Sequence, residues 1–358
     1  MSLKCGIIGL PNVGKSTLFN ALTNLNIDAK NYPFCTILPN FGNVAIFDPR
    51  LYKLAKIVPT KKITNTFIEF VDVAGLIEGA SKGEGLGNKF LSDIRNTDAI
   101  FHVVRCFEDD SIVHVNGKIS PIKDIEIINS ELILSDYSIC KKNLNKIKTN
   151  KKVNFIVDKK KIKILEKCFE HLNNLNMLST LFLNEKEKLY VKEFNFLTIK
   201  PMLYIANINN DKKSIYFIEQ ITNYFNQKEK IFPVFLKKDN NECFYINSNN
   251  KFKKQFFSDQ IKDISFSALK LLNLHTFFTV GEKEIKSWTI KKNSTVREAA
   301  RKIHSDFFRG FIKAKVISFN DFVSLKDKKL VKNTGKVRTE GKDYIVQDGD
   351  ILNFLFQV

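Results

Sequence analysis

The sequence has no apolar run approaching the ~20 residues of a membrane-spanning helix, no paired cysteine motif, little arginine and no internal repeat. Each absence excludes something. Without a long apolar run the chain is not an integral helical membrane protein. The opening Met1-Ser2-Leu3-Lys4 leads directly into a strand pattern and leaves no room for a signal peptide. Six cysteines (Cys5, Cys35, Cys106, Cys140, Cys168, Cys243) show neither C-x-x-C nor zinc-ligand spacing, so reduced thiols are expected rather than a disulfide framework. The expectation is a soluble, cytoplasmic protein with no membrane partner.

Acidic residues are also scarce: 38 against 57 basic ones, a net charge of +19. Two readings of that excess stay open. Such a field draws a protein to a polyanion, of which ribosomal RNA is one. Compositional drift gives the same excess: only seven basic residues are Arg, the rest are Lys, and the chain is crowded with Asn, Ile and Phe. The 358 residues, 44% of them hydrophobic, are enough for two or three domains with separate cores.

What the chain does have is a full phosphate-binding loop, Gly9-Leu10-Pro11-Asn12-Val13-Gly14-Lys15-Ser16. An apolar stretch, Cys5 to Ile8, precedes it as a buried strand, and Ser16 to Leu22 follows as a helix. Glycines at this spacing let backbone N–H groups of Asn12 to Thr17 turn inward onto phosphate oxygens, aided by the positive end of the helix. Lys15 reaches the β- and γ-phosphates, and the Ser16 hydroxyl ligates Mg²⁺. A nucleoside triphosphate ligand follows.

Two further motifs stand in the right order. Thr66 to Val71 alternates as a strand and ends in Asp72-Val73-Ala74-Gly75, the D-x-x-G pattern in which Asp72 holds Mg²⁺ and the Gly75 N–H meets the γ-phosphate. Between the motifs, Thr36 is placed to complete the metal shell. Gly9 to Thr17, Asn31 to Asn40 and Asp72 to Phe90, with Ala99 to Phe107, Lys200 to Asn209 and Leu271 to Val358, resemble the YchF family of Obg-like P-loop ATPases, ribosome-associated relatives of translational GTPases. The resemblance fades between about Lys146 and Phe196 and between Lys212 and Leu269.

The resemblance implies a fold and a mechanism. The fold is α/β, a P-loop (Ras-like, Obg-type) G domain with an inserted helical hairpin and a C-terminal β-grasp module, the TGS domain. Leu76 stands where Ras-like enzymes carry the Gln that orients water, and leucine makes no hydrogen bond to water. The family offers His114 instead, whose imidazole positions water or moves a proton near neutral pH. Lys15 and Gly75 complete the catalytic set. Asn12 occupies the place where some related enzymes hold a potassium ion. At the base end, Asn207 and the Ile208 backbone meet adenine. The N-K-x-D of GTPases has become Asn207-Ile208-Asn209-Asn210: the guanine-reading Asp is absent, and the Glu usual in the family at the fourth position is Asn210. Asp211 sits one residue late, and no convincing S-A-K element is present. His102, in a strand, is expected to be packed. The glycine-rich Gly79 to Gly87 is expected to be a mobile switch, and Cys35, beside Thr36, is a candidate redox thiol.

The organisation expected is a split G domain over 1–130 and 199–273, a helical insert over 131–198 and a TGS domain over 274–358. The insert carries fifteen Lys and eight acidic residues from Ser130 to Lys200, a net +7. A helix from Thr295 to about Phe308 and short strands at Ala314–Ser318 and Tyr344–Val346 are expected in the last part, and Asn247 to Lys254 is expected to be a loop. The function expected is a Mg²⁺-dependent, monomeric ATPase switch that binds the ribosome, at its large subunit or as the 70S particle. The alternatives are a GTPase of translation or ribosome assembly, or a non-catalytic nucleotide-regulated RNA-binding scaffold.

Overall fold

The computed structural model describes residues 3–24, 41–73, 86–115, 117–149, 155–226, 231–236, 242–246, 252–325 and 335–357. Cys35, Thr36, Gly75, Leu76 and residues 79–85 of the glycine-rich stretch lie outside the described residues. In chain order the elements are β1 Lys4–Ile8, α1 Lys15–Asn24, β2 Phe41–Ile46, α2 Pro49–Ile57, β3 Ile63–Thr64, β4 Thr66–Asp72, α3 Leu86–Arg95, β5 Ala99–Cys106, α4 Pro121–Thr149, α5 Phe155–Asn173, α6 Glu185–Val191, β6 Met202–Ile208, α7 Lys212–Tyr224, β7 Ile231–Val234, β8 Glu242–Ile246, β9 Phe252–Phe256 and α8 Phe257–Leu271. They continue with β10 Leu274–Val280, β11 Ile285–Lys291, α9 Val296–Ile303, α10 Ser305–Arg309, β12 Phe311–Ser318, α11 Phe319–Leu325, β13 Arg338–Glu340 and β14 Asp350–Phe356. The chain divides into two compact units: Met1–Gly42 with Glu69–Ile261, and Asn43–Ile68 with Lys262–Val358. Among the described residues no helix is long and apolar enough to cross a membrane.

Strands β1, β5, β6 and β7 of the first unit, with the end of β4, form a sheet in the order β4-β1-β5-β6-β7. β1 pairs in parallel with β4 and β5, and β5, β6 and β7 continue in parallel. Parallel strands covered on both faces need continuous apolar runs, and every residue of β5 is buried. Strand order reverses about β1, which puts the loop after β1 at the crevice where such sheets bind ligands.

The helical region begins earlier than its compositional boundary, since α4 starts at Pro121. Tyr137 stacks on Phe169, and Cys140 Sγ donates to the Leu165 carbonyl, so α4 and α5 run antiparallel. Ile133, Cys140, Leu144, Leu165, Cys168 and Leu172 form their core. Asp136 fixes the return of the chain into the sheet. Its buried carboxylate accepts from the Leu197 and Thr198 N–H groups and from the Thr198 hydroxyl, at 2.7 to 3.0 Å. In the 242–256 stretch, Phe252 to Lys254 belong to β9, paired antiparallel with β8, rather than to the expected loop; residues 247–251 lie outside the described residues.

The second unit differs most from the sequence-based division. Its sheet, of order β13-β12-β14-β10-β11-β3, takes its last strand from residues 63–64, which pair in parallel with β11. The period of two sends neighbours to opposite faces. Phe277, Val316 and Leu352 meet Val296, Ala299 and Ala300 of α9 on one face. Phe278, Ile317 and Ile351 meet Leu51 and Leu54 of α2 on the other. Arg50 locks α2 in place, donating to Asp48 at 2.7 Å and to Asp348 at 2.6 Å, while Asp348 accepts from the Thr276 N–H. The expected helix over 295–308 breaks at His304, whose backbone is extended. Thr295 and Glu298 close a capping box at its start. Tyr344 to Val346 is not a strand; Ile345 makes only an isolated bridge to Thr295.

Candidate nucleotide site

The site lies in the first unit, and its phosphate end is the loop between β1 and α1. Gly9 has φ +152°, and a Cβ there would come within 2.5 Å of the Val103 carbonyl oxygen. Gly14 has φ +102°, and a Cβ there would meet the Asn207 amide nitrogen at 2.5 Å. Both positions therefore demand glycine. Asn12 is left-handed at φ 61°, a conformation asparagine tolerates better than most residues.

Three side chains equip this end. Lys15 is buried, and its Nζ donates to the Leu10 carbonyl at 2.7 Å. Burial lowers its pKa to about 8, against the opposing charge of Asp72. A bound polyphosphate would remove that penalty by pairing the ammonium. The Ser16 hydroxyl donates to Asp72 Oδ2 at 2.8 Å. Asp72 Oδ1 is buried and makes no hydrogen bond among the described residues. A carboxylate oxygen left in that state suits a cation, so Ser16 and Asp72 fit a magnesium ion. Thr36 and Gly75, the other two groups expected here, lie outside the described residues.

The loop that follows β5 comes to the same place. Asn12 Nδ2 donates to the Val113 carbonyl at 3.2 Å, which sets His114 next to the phosphate loop. Two residues that the sequence reading missed hold this loop. Arg105 is 1% exposed, and its guanidinium donates to the carbonyls of Phe107, Ile112 and Asp109 at 3.0 to 3.2 Å. Asp124, in the first turn of α4, lies 3.0 Å from His114 Nε2 through its Oδ2. Both partners are buried, and burial raises the Asp124 carboxyl while His114 and Arg105 pull it down. The signal that would have found Arg105 is its rarity: in a lysine-rich chain, a retained arginine inside an apolar strand marks a need for a planar, multidentate donor. Nothing in the sequence singles out Asp124. His102 is packed as expected; it is 1% exposed and burial pushes its pKa down to about 3.

The base end is arranged differently. Asn207 is buried, and its Nδ2 donates to the Val13 carbonyl at 2.9 Å, so the amide braces the phosphate loop. Ile208 is in the core against Val104 and Cys106. Asn209 N–H donates to Ser214 Oγ at 3.0 Å. Asp211 is the N-cap of α7, and its Oδ1 accepts from the Ser214 N–H at 2.6 Å. Capping engages Asp211 Oδ1, and Asn210, at the fourth position of the base motif, is exposed.

A glycine-constrained phosphate loop, a serine–aspartate pair fit for a divalent cation and a parallel sheet reversing at the loop's strand define a P-loop nucleotide-binding protein of the G-domain class. A family model described as a 50S ribosome-binding GTPase matches residues 4–159. The YchF-GTPase C-terminal model, described as a protein of unknown function, matches residues 274–357. The chain is 49% identical to the ribosome-binding ATPase YchF of Buchnera aphidicola from Acyrthosiphon pisum and 46% identical to that of Escherichia coli O157:H7, with 100% of both chains covered in each case. The structure of the Schizosaccharomyces pombe YchF GTPase is 30% identical and superimposes with a TM-score of 0.83, covering 99% of this chain and 98% of that one. The protein belongs to the YchF family.

Proposed function

We propose that the protein is a Mg²⁺-dependent ATPase that hydrolyses ATP to ADP and phosphate and acts as a nucleotide switch on the ribosome, at the large subunit or the 70S particle, in the cytoplasm. The observation that carries the ATPase reading is the contrast between a phosphate end that presents Lys15, Ser16 and Asp72 and a base motif whose one carboxylate, Asp211, caps α7 through its Oδ1. Guanine recognition needs an acceptor for N1–H and the 2-amino group, and a site lacking it gives up most of its discrimination for GTP. The names of the bacterial relatives, ribosome-binding ATPases, point the same way.

Each residue then has a task. Backbone N–H groups from Asn12 to Thr17 hold phosphate oxygens, and Lys15 neutralises charge at the β- and γ-phosphates. Ser16, Asp72 and Thr36 would hold Mg²⁺, which polarises the phosphate oxygens it touches. The Gly75 N–H meets the γ-phosphate. His114 positions the attacking water or takes its proton as the water oxygen bonds to the γ-phosphorus and the bridging bond to ADP breaks. Asn12 carries a further candidate role, offering its Oδ1 to a potassium ion that supplies positive charge beside the phosphates. Asn207 and the Ile208 backbone border the adenine.

The surface supports ribosomal RNA as a partner. Arg50, Arg95 and Arg105 are committed to carboxylates, carbonyls or hydroxyls of the fold, and exposed Arg338 donates to the Tyr344 hydroxyl. The other three, Arg297, Arg301 and Arg309, are exposed on α9 and α10 and make no ion pair among the described residues, although Arg297 Nε donates to the Phe308 carbonyl at 3.4 Å. Arg297 and Arg301 both lie over the Phe308 ring, at 4.4 and 5.4 Å. Guanidinium groups beside an aromatic suit a nucleic-acid backbone. The helical insert over 131–198 and the TGS domain over 274–358 are the parts assigned to the ribosome in this reading. The test is phosphate release with ATP in the presence and absence of Mg²⁺, together with co-sedimentation with ribosomes at low salt and a nonhydrolysable ATP analogue. No Mg²⁺-dependent release, or no enrichment over a size-matched basic protein, overturns the reading.

A further inference from the structure

His114 does not stand alone in its pocket. Its Nε2 lies 3.0 Å from Asp124 Oδ2, with both side chains nearly sealed from solvent. The second carboxylate oxygen, Asp124 Oδ1, is buried with no hydrogen-bond partner among the described residues. Arg105 fixes the loop that leads from β5 to His114 through three carbonyls, and Asn12 ties Val113 to the phosphate loop. The ring is thus held at both its backbone and its tip, beside the triphosphate site.

A buried carboxylate is an expensive helix-start residue. An exposed serine or aspartate at the start of α4 would satisfy the helix as well without the cost of burial. The placement makes sense if the carboxylate serves the imidazole. A carboxylate facing one ring nitrogen draws the proton to that nitrogen, sets the tautomer and stabilises the imidazolium formed when the other nitrogen takes a proton.

We infer that Asp124 is the positioning residue for His114, holding the neutral ring with its hydrogen on Nε2 and its lone pair on Nδ1, the nitrogen that meets the water of nucleotide hydrolysis. The inference rests on the proposed role of His114. In the half-reaction the Nδ1 lone pair accepts the water proton as the new P–O bond forms, and the Nε2 hydrogen stays shared with Asp124. The proton on Nδ1 leaves to solvent or phosphate when the products depart. Asp124 touches neither substrate nor metal in this scheme.

The experiment measures kcat and KM for ATP in the parent protein, H114A, D124N, D124E and the double variant H114A/D124N. ¹⁵N NMR of the imidazole nitrogens and thermal melting run alongside. The parent is expected to show His114 as the Nε2–H tautomer. D124N is expected to lose about tenfold to hundredfold in kcat, within the hundredfold or more expected for H114A, with KM unchanged and a mixed or reversed tautomer. D124E recovers part of the loss, and the double variant is no slower than H114A, because the two residues act as a unit. A parent spectrum showing the Nδ1–H tautomer overturns the inference without any variant, so a misfolded D124N does not rescue it. Losses that multiply in the double variant, or parent-like kcat in D124N while H114A is slow, overturn it as well and return Asp124 to the helix start. Parent-like kcat in H114A alone sinks the hydrolytic role of the histidine itself, a failure visible before Asp124 is touched.

Discussion

At the phosphate end of the site, polar side chains wait for a ligand; at the base end, they are already spent. Lys15 is buried with a lowered pKa, and Asp72 keeps an oxygen with no donor among the described residues. Asn207 is tied to Val13 and Asp211 to the first turn of α7. The same end of the sheet, beyond β1 and β6, therefore carries one half that is poised and one half that is scaffold. Affinity should come from the phosphates, while base preference is weak and set by what is missing.

Lys15→Ala strikes the poised half and should have the largest effect. Losing the charge that the γ-phosphoryl transfer needs should lower turnover by about two orders of magnitude or more, read as phosphate release under saturating nucleotide. Retained turnover would mean that the loop binds nucleotide without working on it. Asn207→Ala strikes the other half. If the amide is a brace, ATP and GTP affinity should weaken together, by about tenfold, the worth of one buried hydrogen bond. A change in the ATP-to-GTP ratio would instead make Asn207 a base reader and erase the contrast.

Asn210→Glu should shift the balance less. A carboxylate returns at the fourth position of the base motif, and GTP affinity should rise by a fewfold in isothermal titration, with ATP unaffected. No response would place the base away from Asn210. The smallest effect concerns pH. The folded pKa of Lys15, about 8, lies below its ordinary value of 10.5. Between those values the unfolded chain binds more protons, so stability rises with pH across that window. The burial penalty is present in full below pH 8 and is relieved by about pH 10.5. In urea unfolding without nucleotide, the parent should gain on Lys15→Met as pH climbs from 8 to 10. A pH-independent difference would show that the ammonium is not strained.

Legibility followed how strongly a residue pattern constrains the backbone. The phosphate loop was legible because Gly9 and Gly14 sit where no Cβ fits, the buried strands β1, β5 and β6 because parallel sheets need apolar runs, and β4 because its residues alternate. The placement of residues 43–68 was not. Nothing local says that Leu51 and Leu54 cover the C-terminal sheet; the only trace is that Phe278, Ile317 and Ile351 are apolar on the face opposite α9. The break at His304 was hidden because the apolar spacing runs on through Phe307 and Phe308. The Asp124 partner of His114 was hidden because it stands ten positions further on, inside the first turn of α4, and a fold, not a spacing, brings them together.

Direct titration of the nucleotide-free protein with ATP and with GTP, side by side in Mg²⁺, tests the central claim most directly. The account predicts that ATP binds more tightly by a modest factor, since the base end has lost its guanine acceptor. GTP bound about tenfold more tightly, a difference of about 1.4 kcal/mol, would contradict it and make the protein a GTPase.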